Sequence, residues 1–102
     1  MNRLSSLMRL HEADPADADV LYMIAQEHAK SGDHREAITW YTKCLTANPD
    51  YHYAGFHMAR SLESVGDIAA AMGVLSTSLG RARAQGDQKA AGELAGYLDE
   101  LT

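Results

Sequence analysis

The tightest constraint on this chain is a stretch that occurs twice. Ser31-Gly32-Asp33-His34-Arg35-Glu36-Ala37 returns as Val65-Gly66-Asp67-Ile68-Ala69-Ala70-Ala71, and Gly66 − Gly32, Asp67 − Asp33 and Ala71 − Ala37 each equal 34. Ala25 and Ala59 share that interval, as do Leu45 and Leu79. A repeat of this length is one supersecondary unit that cannot bury its apolar face alone and must stack on a copy of itself. Each copy sets Gly-Asp between two apolar-periodic segments of about fourteen residues, so the unit reads as helix, tight turn, helix. Glycine supplies the left-handed residue that ends one helix, and aspartate accepts from the unpaired N–H groups that start the next.

A chain of 102 residues with 46% apolar and 23% charged side chains has room for one folded domain of about six short helices. The net charge of −5 and pI near 5.4 argue against a nucleic-acid partner, since the nine Lys and Arg are scattered where phosphate binding needs them clustered. By net charge alone, a mildly basic peptide is the easier guest. The acidic run Glu12, Asp14, Asp17 and Asp19 reads as a solvated helix start. Cys44 is the only cysteine, so no internal disulfide forms and a reducing cytoplasm is the expected location. No apolar run approaches the roughly 20 residues that span a bilayer, and Met1–Leu10 lacks the continuous apolar core of a signal peptide, so no membrane association is expected.

Along the chain, residues 1–14 hold an N-terminal helix with Leu4, Leu7, Met8 and His11 on one face. Pro15 stands one full period before Pro49, which makes this helix the second half of a truncated repeat. Asp14-Pro15-Ala16-Asp17 stops it and caps the next. The first full repeat spans 18–51. Its inward stripe is predicted as Leu21, Ile24, Ala25 and His28, with Ala37, Ile38, Tyr41 and Leu45 on its second helix, where Asp33 and Glu36 form an acidic variant of the capping box. The second repeat spans 52–85, with Met58, Ala59 and Leu62, then Ala71, Leu75 and Leu79, in the matching places. Arg83 stands where Pro49 would recur, so this helix runs about one turn further, to Gln85-Gly86-Asp87. A last helix at 87–101 carries Ala91, Leu94, Ala95, Leu98 and Leu101 on one side and a wet opposite face, as suits the cap of a stack.

Residues 18–85 resemble two tetratricopeptide repeats. Counted from Ala18, the large-apolar, small, turn-glycine, small, aromatic and proline sites of that family fall on Ile24, Ala25, Gly32, Ala37, Tyr41 and Pro49, then on Met58, Ala59, Gly66, Ala71, Leu75 and Arg83. The family's usual tryptophan is replaced by Leu21 and Gly55 and its tyrosine by His28 and Leu62. The last helix fits the register only with an insertion of one or two residues. The resemblance implies an all-α fold, antiparallel helix-turn-helix units stacked as a short right-handed superhelix of about six helices. It also implies a scaffold or adaptor that binds a protein or peptide without catalysis or cofactor. The family's clamp for a terminal carboxylate uses Lys, Asn and Arg, and Tyr22, Gln26 and His57 stand in those places here, so recognition of chaperone tails is not implied.

Chemistry-bearing residues do not assemble by spacing. His11, His28, His34, His52 and His57 include no i, i+4 pair, and none neighbours a cysteine, so no zinc site is expected. Cys44 lies beside Leu45 on a predicted buried ridge, where a thiol is inert packing. Gly92 and Gly96 mimic a membrane dimer motif, but Glu93 and Asp99 beside them exclude lipid. A small metal protein or enzyme using His57 and Arg60 is the remaining rival from that class.

The positive signal is a row that the core pattern leaves unused. On the first helices of the two repeats, which line the concave wall of such a stack, it holds Tyr22, Met23, Gln26 and Lys30, then Tyr53, Phe56, His57 and Arg60, with Asp19 and Glu63 at the margins. Rings, methionine and arginine at exposed positions are the composition of binding surfaces. These eight residues are the predicted partner-binding face. The alternative use of spare apolar surface in a chain of two repeats is self-association into a homodimer.

Overall fold

A computed structural model describes residues 2–102 as six helices: α1 (Arg3–Ala13), α2 (Ala18–Lys30), α3 (His34–Ala47), α4 (His52–Ser64), α5 (Ile68–Ala84) and α6 (Gln88–Leu101). Consecutive helices pack antiparallel, α4 also touches α6, and no strand occurs among the described residues. The stack measures 41 × 29 × 18 Å.

The Gly-Asp turn governs the architecture. Gly32, Gly66 and Gly86 have φ of 80°, 86° and 72°, and the N–H of the following aspartate reaches back to the carbonyl of His28, Leu62 or Ala82 at 2.9 Å in all three. Each aspartate then turns its Oδ1 to the next helix, accepting from the N–H of Glu36 at 3.3 Å, Ala70 at 3.1 Å and Ala90 at 3.1 Å. One dipeptide thus closes one helix and opens another. The reciprocal half of the predicted capping box is absent. The Asp33 N–H is already taken by His28, and the Glu36 carboxylate instead accepts from Trp40 Nε1 at 3.2 Å.

The second repeat is longer than the first. Helices α3 and α4 begin at His34 and His52, whereas α5 and α6 begin at Ile68 and Gln88, a wider interval by two positions. The insertion is therefore two residues, absorbed by an α5 of 17 residues against an α3 of 14. Beyond it, α6 resumes the pattern and stands as a third copy of α2 and α4.

Two apolar clusters fill the stack, one among α1, α2 and α3 with Ala54, the other among α4, α5 and α6. Ala25, Ala37, Ala59 and Ala71 are fully buried where the hairpins cross, as the small-residue pattern requires. Burial departs from the predicted stripes in detail. Val20 is buried while His28 is only half-buried, Trp40 and Cys44 enter the core ahead of Ile38 and Leu45, and α6 buries Ala90 and Tyr97 beside Leu94. Trp40 also holds α1, meeting the His11 ring edge-on at 5.0 Å.

A candidate concave binding groove

α2, α4 and α6 line one wall of the stack, and two cavities lie along it. The first, about 660 Å³, sits between α2 and α4 and gathers Met23, Gln26, Lys30, His57 and Arg60 from the predicted row. The second, about 490 Å³, sits between α4 and α6 and takes Phe56 from that row. Arg60 and Glu63 line both, so the two form one trough.

Tyr22 and Tyr53 line neither cavity. Tyr22 is half-buried. Its ring stacks on Tyr51 at 4.9 Å, and its hydroxyl accepts from Gln26 Nε2 at 2.8 Å. Tyr51 in turn donates to Asp19 Oδ1 at 2.8 Å, which braces α2 against the start of α4. Tyr22 thus supports the wall from beneath and orients Gln26. Tyr53 is exposed near the start of α4. Phe56 packs on Tyr97 with centroids 5.1 Å apart, leaving part of its surface to the trough.

Residues outside the predicted row join the lining, among them Arg3 from α1, Glu27 from α2, His34 and Tyr41 from α3, and Ser61 and Ser64 from α4. Ser64 lies one period after Lys30, so the repeat itself points to it. Arg3 carries no such signal, because the period does not say where a half-repeat points its first turn.

Electrostatics divide the trough. Glu27 is held between Arg3 at 3.5 Å and Lys30 at 3.3 Å. Glu63 accepts from the Tyr97 hydroxyl at 2.5 Å. Arg60 makes no salt bridge among the described residues. Burial, then the Arg60 charge, lowers the pKa of His57, which is therefore neutral at pH 7 and leaves Arg60 as the unneutralised charge at the centre. His34 Nδ1 lies 3.0 Å from Ser61 Oγ, closing the floor.

Among the described residues no group of three or more His, Cys, Asp or Glu lies close enough to hold a metal. Cys44 is fully buried, and burial followed by the nearby Asp19 charge pushes its thiol up to about 12. No helix among them is long and apolar enough to cross a membrane.

On the opposite face, a cleft of about 580 Å³ between α3 and α5 is lined by Leu45, Pro49, Met58, Ala70 and Val74 with threonines at its rim.

A family model described as tetratricopeptide repeat matches residues 18–51. Sequence comparison with curated proteins finds no match. Among solved structures, a tetratricopeptide repeat domain protein from Salinibacter ruber is similar at 26% identity, with 86% of this chain and 89% of that one covered and a TM-score of 0.79. The MamA RS-1 double mutant is similar at 27% identity over 96% of this chain and 55% of that one, with a TM-score of 0.72. The type III secretion translocator chaperone SycD of Yersinia enterocolitica shares the fold at 16% identity, covering 96% and 68% with a TM-score of 0.87.

Proposed function

The chain is a helical repeat of the tetratricopeptide type, with residues 18–51 matching that family directly, and from this premise we propose that it binds a segment of a partner protein in its concave groove. The family's members are typically interaction modules without catalysis, and the protein acts here as a scaffold or adaptor. The observation that carries the reading is the cavity between α2 and α4, into which the fold brings five residues that the core pattern leaves unused: Met23, Gln26, Lys30, His57 and Arg60. A polar-rimmed trough with Met23 and Phe56 on its wall supplies apolar area, and Arg60 supplies direction.

Affinity capture with the intact domain, followed by repetition with Met23→Ala/Arg60→Ala, tests this. The double variant should lose the captured partner while keeping the helical circular dichroism of the parent. Undiminished capture would contradict the groove.

A second reading, self-association, is favoured by one specific feature, the apolar cleft between α3 and α5. Light scattering decides it: a monomer mass across concentration removes that reading, and a dimer mass that Val74→Asp abolishes supports it.

A further inference from the structure

We infer that the trough selects its guest by charge order, taking a partner segment with a carboxylate side chain at one end, a Lys or Arg at the other and apolar residues between. This rests on the concave groove being the binding face and adds what chemistry that face accepts.

The α2–α4 half carries Arg3, Lys30 and Arg60 against Glu27 and Glu63, an excess of cation in a chain whose net charge is −5. Both of its carboxylates are engaged, Glu27 by Arg3 and Lys30 and Glu63 by the Tyr97 hydroxyl, whereas Arg60 has no carboxylate within salt-bridge reach among the described residues. The neutral His57 beside it adds no second charge at pH 7. A guanidinium at the trough's centre with no carboxylate in salt-bridge reach among the described residues is complementary to a guest carboxylate, which it can hold through two parallel N–H bonds.

The α4–α6 half is its opposite, with Glu63, Glu93 and Glu100 against Arg60 alone. Glu93 and Glu100 are exposed and make no salt bridge among the described residues. Their place follows from the two-residue insertion. With it allowed for, Gly92, Glu93, Gly96 and Glu100 are the counterparts of Phe56, His57, Arg60 and Ser64, so α6 presents the same concave row with the side chains of Phe56 and Arg60 deleted and acids in place of His57 and Ser64. A Cβ at Gly92 or Gly96 would meet nothing within 4 Å. The absence of side chains there therefore serves no internal packing. It leaves a low floor over which a long basic side chain reaches Glu93 and Glu100. Beside Arg60 in the α4–α6 half, the Phe56 and Tyr97 rings supply the apolar stretch.

A uniformly basic guest, which the net charge alone would favour, is repelled by Arg3, Lys30 and Arg60, and a uniformly acidic one by Glu93 and Glu100.

Three synthetic peptides of equal length with the same aromatic and aliphatic centre test this: one acidic at one end and basic at the other, one acidic at both ends, one basic at both. Each is titrated into the isotope-labelled protein and followed by amide NMR. The mixed peptide should shift resonances along α2, α4 and α6 and bind about tenfold more tightly than either uniform peptide. The exposed charge reversal Lys30→Glu/Arg60→Glu should make the all-basic peptide the best ligand, and Glu93→Lys/Glu100→Lys the all-acidic one. Concave-face shifts with equal affinity for all three peptides overturn the charge order and leave the groove standing. Shifts confined to α3 and α5, or none with any peptide, overturn both.

Discussion

Gly55 and Ser78 meet in close contact between α4 and α5: a Cβ added at Gly55 would overlap the Ser78 hydroxyl and lie 2.9 Å from its Cβ. The corresponding pair one repeat earlier is Leu21 and Cys44, both buried. The second hairpin thus closes with two small residues where the first uses a large one against a small one. Gly55→Ala should cost about 1 to 3 kcal/mol in urea denaturation, despite alanine's better helix propensity, because α4 must move away from α5. Adding Ser78→Gly should recover part of the loss. A stabilised single variant would show that the helices are not in contact there.

The alanine crossings make a parallel case. Ala25 and Ala59 have no exposed surface, and leucine at either must force the hairpin open. Each substitution should destabilise by about 1 to 3 kcal/mol. Unchanged melting temperatures for both would break the repeat register.

Those two sites differ in how fully the sequence specifies them. The Gly-Asp turns and the repeat period specify six helices and the small residues at the crossings, because turn chemistry and close packing are local demands that a sequence states outright. Gly55 reads only as a missing tryptophan, since its meaning lies in Ser78 on another helix. Trp40 carries no repeat signal, because its counterpart one period on, Val74, is only half-buried, and its partner His11 belongs to the half-repeat. Tyr22 lies on the expected helix, but its stacking on Tyr51 depends on how one repeat leans on the next. The row of α6 is masked by the two-residue insertion.

Stability should depend on pH through His57. Burial, reinforced by Arg60, holds its folded pKa below the unfolded value of about 6.5. The neutral ring is accommodated at higher pH, whereas below about 6.5 the unfolded chain takes up the proton more readily than the native one. Its contribution is therefore present above the unfolded pKa and is lost as the pH falls toward the folded one. Urea midpoints measured at about pH 7.5 and about pH 5.5 should show a loss at the lower value that His57→Gln reduces. An identical loss in the variant would place the effect elsewhere.

The last helix closes the second core, burying Ala90, Leu94 and Tyr97 beside Leu75, Leu79 and Ala82 of α5. Deleting residues 87–102 uncovers that surface, and the truncated chain should aggregate or pair. Sedimentation showing a stable monomer would contradict a capping role.

Site-specific photo-crosslinking in cells decides whether a partner segment lies in the concave trough. A photoreactive residue replaces Gln26 or Ser64, which line the trough, or Thr46 or Thr77, which line the opposite cleft. A segment seated in the trough gives a discrete covalent adduct to another protein from Gln26 and Ser64 and none from Thr46 and Thr77. Adducts from Thr46 and Thr77 alone would move the binding face to α3 and α5 and contradict that placement.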